Sequence, residues 1–187
     1  MADLHKTVTD LEMDKDPSMD VADKTTGLAK RERLVVQETW KEAGKLGWGT
    51  VGLALFNLYF DRHPEYILMF RAFKDISRED LRTHARLKAH GLNVVNALTG
   101  VIENLEDTET TVLLLEKTGR DHVRRKLHSK HFENLHLTVI ELFRNVLGPN
   151  FTPFVEASWN KALTVVMGVV LNSLKQEKIA QGVTDEE

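Results

Sequence analysis

Leu87-Lys88-Ala89-His90-Gly91-Leu92-Asn93-Val94-Val95-Asn96-Ala97-Leu98 is the stretch that decides the fold. In it and just beyond, Leu87, His90, Val94, Leu98, Val101 and Leu105 recur at steps of three and four, the period of one helix face. His90 therefore points along the apolar stripe, toward the interior. Downstream, Leu115, Thr118 and His122 keep the same steps, with Gly119 removing a side chain beside that face. One inward histidine is usually a hydrogen-bonded core residue. Two of them on separate helices suit a metal cofactor held between the helices.

Outward from this pair, breakers separate helical patterns, and no alternating β-branched run bounded by hairpin turns occurs, so the fold class is all-α. The pattern predicts a first helix over residues 28–43 with Val36 and Trp40 inward, and a second from about Gly49 carrying Val51, Gly52, Leu55, Phe56, Tyr59 and Phe60 to the turn at His63-Pro64. Pro64 can open a short third helix, and Ser77 looks like the cap before the helix of His90. Thr108 or Thr110 starts the helix of His122. Phe132, Leu135, Val139, Leu142 and Val146 mark the next stripe, which ends at Gly148-Pro149. A last helix follows Thr152-Pro153 with Val155, Trp159, Ala162, Val166 and Val169 inward. Gly52 and Gly91 each cost their helix about 1 kcal/mol relative to alanine. That cost is explained if the two glycines meet where the helices cross.

The 187 residues fit one domain, expected over 28–178. Residues 1–27 lack aromatics and are rich in aspartate, which predicts a flexible acidic extension, and residues 179–187 read as a flexible tail. A net charge of −3 argues against nucleic acid as a partner. Arg120, Arg124, Arg125 and Lys126 form the one basic run, which reads as a solvated helix end. With no cysteine there is no disulfide, thiolate nucleophile, iron–sulfur cluster or covalent haem attachment. The first residues lack a secretory core, and the apolar run over about 162–174 is shorter than a membrane span, so a cytoplasmic protein without a membrane segment is expected.

In order and spacing the chain resembles the globins, most of all the neuroglobin-like and related intracellular animal globins. The match runs through Trp40, Gly49-Thr50-Val51, Pro64 with Phe70, His90-Gly91 with Val94, Gly119-Arg120-Asp121-His122, Phe132, and Leu147-Gly148-Pro149-Asn150-Phe151-Thr152-Pro153 with Trp159. The resemblance implies seven or eight helices in a three-over-three sandwich around non-covalent haem b. It makes His122 the proximal iron ligand, its other ring nitrogen bonded to a carbonyl near Thr118, and His90 the distal histidine or sixth iron ligand. Phe70 would stack on the porphyrin, Val94 and Phe56 would crowd the ligand side, and Leu127, Phe132, Leu135 and Phe73 would wall the crevice. Asn93 stands where neuroglobin has a lysine, leaving Arg71, Arg86 or Lys126 to meet the propionates.

The implied ligands are O2, CO and NO, and the partners the resemblance allows are a second copy and a reductase. The implied function is reversible binding of diatomic gases. The alternative is a redox or enzymatic globin (NO dioxygenase, nitrite reductase or electron transfer) with two histidines on the iron. A di-iron bundle is a third reading, but it needs two E-x-x-H motifs, and Glu133-Asn134-Leu135-His136 is one, offset from the inward stripe. His5, His63, His84, His128 and His131 read as surface residues.

Overall fold

In the computed structural model, which describes residues 2–125 and 127–183, the chain runs through α1 (Ala2–Met13), α2 (Lys30–Gly44), α3 (Trp48–Arg62), α4 (Arg78–Leu81), α5 (Ala85–Glu103), α6 (Thr108–Asp121), α7 (Ser129–Leu147) and α8 (Pro153–Ala180). Short 3-10 turns cover Pro17–Asp20, Pro64–Met69, Val123–Arg125 and Gly148–Asn150. Among the described residues the β-type pairing is one isolated bridge between Ala22 and Ala29. The fold is all-α, as the periodicity predicts.

Helix ends fall where the chain supplies acceptors for free N–H groups. Asp107 accepts from the Thr110 N–H at the start of α6, and Thr152 accepts from Val155 at the start of α8, with Pro153 in the first turn. Gly148, at φ 53°, ends α7. Ser77 caps a different helix from the one expected. It accepts from the Asp80 N–H and opens the single turn of α4, whereas α5 begins at Ala85 with His84 Nδ1 accepting from the Arg86 N–H at 3.1 Å. The chain bends between them because Arg82 is pinned to α3: its guanidinium pairs with Asp61 at 2.8 Å and its carbonyl accepts from Asn57 at 2.9 Å.

α3 packs most closely on α5 and α6 on α8, while α7 packs on both α3 and α8 and α2 packs on α8, so that the interior is enclosed from several directions. Aromatic side chains pin these helices together. Phe143 stacks on Trp159 at 4.2 Å, Trp159 donates from Nε1 to Thr39 Oγ1 at 2.9 Å, and Trp40 donates to Thr99 Oγ1 at 3.1 Å. Each indole N–H is thus satisfied, so the rings stabilise the core without an orphaned donor. Helix α8 is long and apolar enough to cross a membrane by length and composition, more than the shorter run read from the sequence suggested. Here it packs Trp159, Leu163, Val170 and Leu174 into the interior.

The first helices also correct an expectation. Residues 2–27 fold onto the domain: Leu4 and Val8, four apart on α1, are buried in the main core, and Met19 is buried as well. Arg31 of α2 clasps this segment, donating to the carbonyls of Leu11 at 2.7 Å and Asp14 at 2.8 Å and pairing with Asp20 at 2.6 Å. A cationic side chain on α2 therefore supplies the anchoring that an aromatic-free, acidic segment lacks on its own.

α3 and α5 cross at Gly52 and Gly91. A Cβ built on either residue would overlap the backbone carbonyl of the other, so the two helices touch main chain to main chain. This contact sets how deeply the residue just before Gly91, His90, enters the interior.

Candidate functional site

His90 comes from the middle of α5 and His122 from the C-cap of α6, and both open onto one cavity of about 360 Å³. The cavity lies between the main core and a second apolar cluster of Val101, Leu115, Val123, Phe132, Val166, Val170 and Leu174. Its volume is within the range of small-molecule and cofactor sites, roughly 300–1,000 Å³.

His122 Nδ1 lies 2.7 Å from the carbonyl oxygen of Thr118, one turn earlier. A carbonyl can only accept, so Nδ1 carries the proton and Nε2 keeps a free lone pair. Burial pushes the ring below the ordinary histidine range, while the Thr118 bond partly opposes this. Phe132 meets the ring edge-on at 5.8 Å.

His90 makes no hydrogen bond to any described residue. Phe56 at 4.6 Å and Phe70 at 5.1 Å bracket it edge-on. Burial, then the charges of Arg125 and His122, lower its pKa to about 4. Both imidazoles are therefore neutral near pH 7, as a metal-ligating or hydrogen-bonding ring must be.

Phe56, Phe70, Val94, Leu127, Phe132 and Leu135, expected at the crevice, all line the cavity. Phe73 does not. It stacks behind Phe70 at 5.1 Å with 15° between the planes, and only 2% of its surface is exposed. Sequence reasoning did not assign to the site Val101, Leu115, Leu163, Val166, Met167 and Val170, which extend its apolar wall, nor Tyr59 and Arg125, which also line it.

His131 is a correction. Expected at the surface, it is 6% exposed and walls the cavity, ringed by Tyr66 at 4.6 Å, with its carbonyl accepting from Tyr59 Oη at 2.9 Å. It sits one residue before Phe132 in the first turn of α7, where the corner folds back and covers that side of the helix. His63, His84 and His128 are half-buried; His5 is exposed. Of the cations expected to face the porphyrin, Arg71 is exposed, Arg86 donates to the Ala72 carbonyl at 2.9 Å, and Lys126 lies outside the described residues.

No group of three metal-ligating side chains is present among the described residues, which leaves the di-iron reading without support. The arrangement fits a flat, largely apolar prosthetic group with one metal. Its lining offers a fixed imidazole with a free Nε2, an unpartnered imidazole on another helix, and hydrocarbon between.

Comparison with known proteins gives a consistent picture. The globin family model matches residues 53–170. The chain is 27% identical to cytoglobin-1 of Danio rerio over 158 residues, covering 82% of this chain and 90% of the relative. A globin of Tritia mutabilis is 23% identical over 143 residues, 75% of this chain and 97% of the relative. An extracellular globin, E1 of Artemia, is 28% identical over 148 residues, 78% and 71% of the respective chains.

Proposed function

The chain belongs to the globin family, and from that premise we propose that it is an intracellular haem b protein that binds O2, CO and NO reversibly, with His122 as the proximal ligand and His90 on the opposite face. The observation that carries this reading is the pair of neutral imidazoles opening onto one apolar cavity, one with its Nε2 lone pair free and one without a partner.

When bound, the haem supplies an iron that coordinates a diatomic gas reversibly. The chain supplies the rest. The Thr118 carbonyl fixes the tautomer and plane of His122 and raises its basicity as a ligand. Phe56, Phe70 and Val94 limit the room on the side of His90. The His90 N–H is available to donate to a polarised diatomic, a bond worth about 1 kcal/mol, or roughly fivefold in affinity. The hydrocarbon walls keep water from the centre.

A second reading is favoured by one specific feature: among the described residues His90 has no hydrogen-bond partner holding it away from the cavity. In that reading His90 would hold the iron together with His122, and the group would supply electron-transfer or other redox chemistry. An absorption spectrum of the reconstituted protein tests both. A Soret band near 400 nm is expected with hemin. In the deoxy ferrous state, one broad visible band marks an open sixth site and sharp, split bands mark two histidine ligands. A protein that stays colourless after reconstitution overturns the proposal.

A further inference from the structure

We propose that Arg125 is the cationic anchor for the carboxylate edge of the porphyrin, so that this group is gripped from the His122 side of the cavity and not from α5. The inference rests on the haem-binding reading and assigns a role to a residue that reads, in the sequence, as part of a solvated helix end.

Arg125 lines the cavity. Its Nε donates to the Asp121 carbonyl at 3.3 Å, and among the described residues it has no carboxylate partner. Of the neighbouring described cations, Lys117 pairs with Asp121 at 2.6 Å, Arg120 pairs with Glu116 at 3.7 Å, and Arg124 does not line the cavity. Asp121, the one acid among the described residues of the cavity wall, has its carboxyl held low first by the Lys117 hydrogen bond and charge and only weakly by Arg125, with which it makes no ion pair.

On α5 the cavity-lining polar residue is Asn93, a neutral amide that can donate one hydrogen bond but cannot neutralise a carboxylate. Arg86 is held by the Ala72 carbonyl. A porphyrin with two carboxylates therefore finds its complementary charge at Arg125, whose planar fork matches a carboxylate bidentately. The position is also rigid with respect to the ligand. The Arg125 N–H donates to the His122 carbonyl at 3.0 Å, and Val123 between them is buried, so anchor and imidazole share one 3-10 turn.

The test is the rate of hemin loss to an excess of an apoprotein scavenger, measured for the wild type, Arg125→Gln and Arg125→Lys, each loaded with haem b or with its dimethyl ester, in which the carboxylates carry no charge. With haem b, Arg125→Gln is expected to lose its group about tenfold faster than wild type and Arg125→Lys, which keeps the charge without the fork, at a rate between the two. With the dimethyl ester, wild type and Arg125→Gln should release it at equal rates. A rate for Arg125→Gln within twofold of wild type overturns the proposal, as does the same acceleration with the ester, because the effect would then not involve the carboxylates. Absence of a Soret band in the wild type overturns the haem-binding reading itself, a result distinct from either.

Discussion

Gly52 and Gly91 meet with nothing but backbone between α3 and α5, each occupying the space where the other's Cβ would stand. Because His90 directly precedes Gly91, helix crossing and the depth of its imidazole are one geometric fact.

Gly91→Ala should therefore force α3 and α5 apart against backbone that cannot yield as a flexible side chain would. Overpacking of this kind costs about 3 kcal/mol. A urea titration should show the midpoint fall with little change in slope; an unchanged midpoint would mean the helices do not cross this closely.

The two histidines should separate by substitution. His122→Ala should abolish stable haem retention, whereas His90→Leu should retain the group and change ligand affinity or the ferrous visible spectrum. Soret absorbance after gel filtration reads the first effect and CO titration the second. Equal haem loss from both variants would contradict the assigned roles.

His131 should make stability fall in mild acid. Its Nδ1 lies 2.9 Å from the His128 N–H, which it accepts only when that nitrogen is bare, and burial holds its folded pKa below the ordinary 6.5. The unfolded chain thus binds the proton first: the contribution is intact above pH 6.5 and is lost as pH falls through the folded value. His131→Asn keeps an acceptor for the N–H but cannot be charged. Its thermal midpoint should decline less than that of wild type between pH 7 and pH 5, and parallel declines would exclude His131 as a source.

Removing residues 1–20 should lower stability without removing the cofactor site. Leu4 and Val8 leave the core and Arg31 loses its acceptors, but the ordering cost of the segment is recovered, for a net loss of about 2 kcal/mol. A lower melting temperature with an unchanged Soret band is the expected pair of results. Loss of the band would show that the segment supports the cavity.

The periodicity around His90 and His122 and the meeting of two glycines were legible because each depends on residues within one or two helical turns or on a helix crossing at small residues, whereas the bond to Thr118 was implied by the resemblance to the globins. α1 was not, since its buried side chains, Leu4 and Val8, are too few to give an apolar stripe and its anchoring comes from Arg31, on another helix. His131 hid beside the stripe of Phe132 and Leu135, because a helix's first turn is covered on a side that its later turns leave open. Phe73 and Arg125 exchanged expected places for a tertiary reason. Phe70 fills the wall in front of Phe73, and a turn after His122 carries Arg125 back to the cavity.

The close seat of α6 on α8 has a mechanical consequence. Gly119 leaves no room for a Cβ, which would stand 2.5 Å from the Val170 carbonyl oxygen, and Ser173 Oγ donates to the Glu116 carbonyl at 2.8 Å. The turn that carries His122 is thus bolted to the longest described helix, while α5 beside His90 is seated on α3 main chain to main chain at Gly52 and Gly91. Like a vice, the site has two jaws, each set by a helix crossing that admits no Cβ.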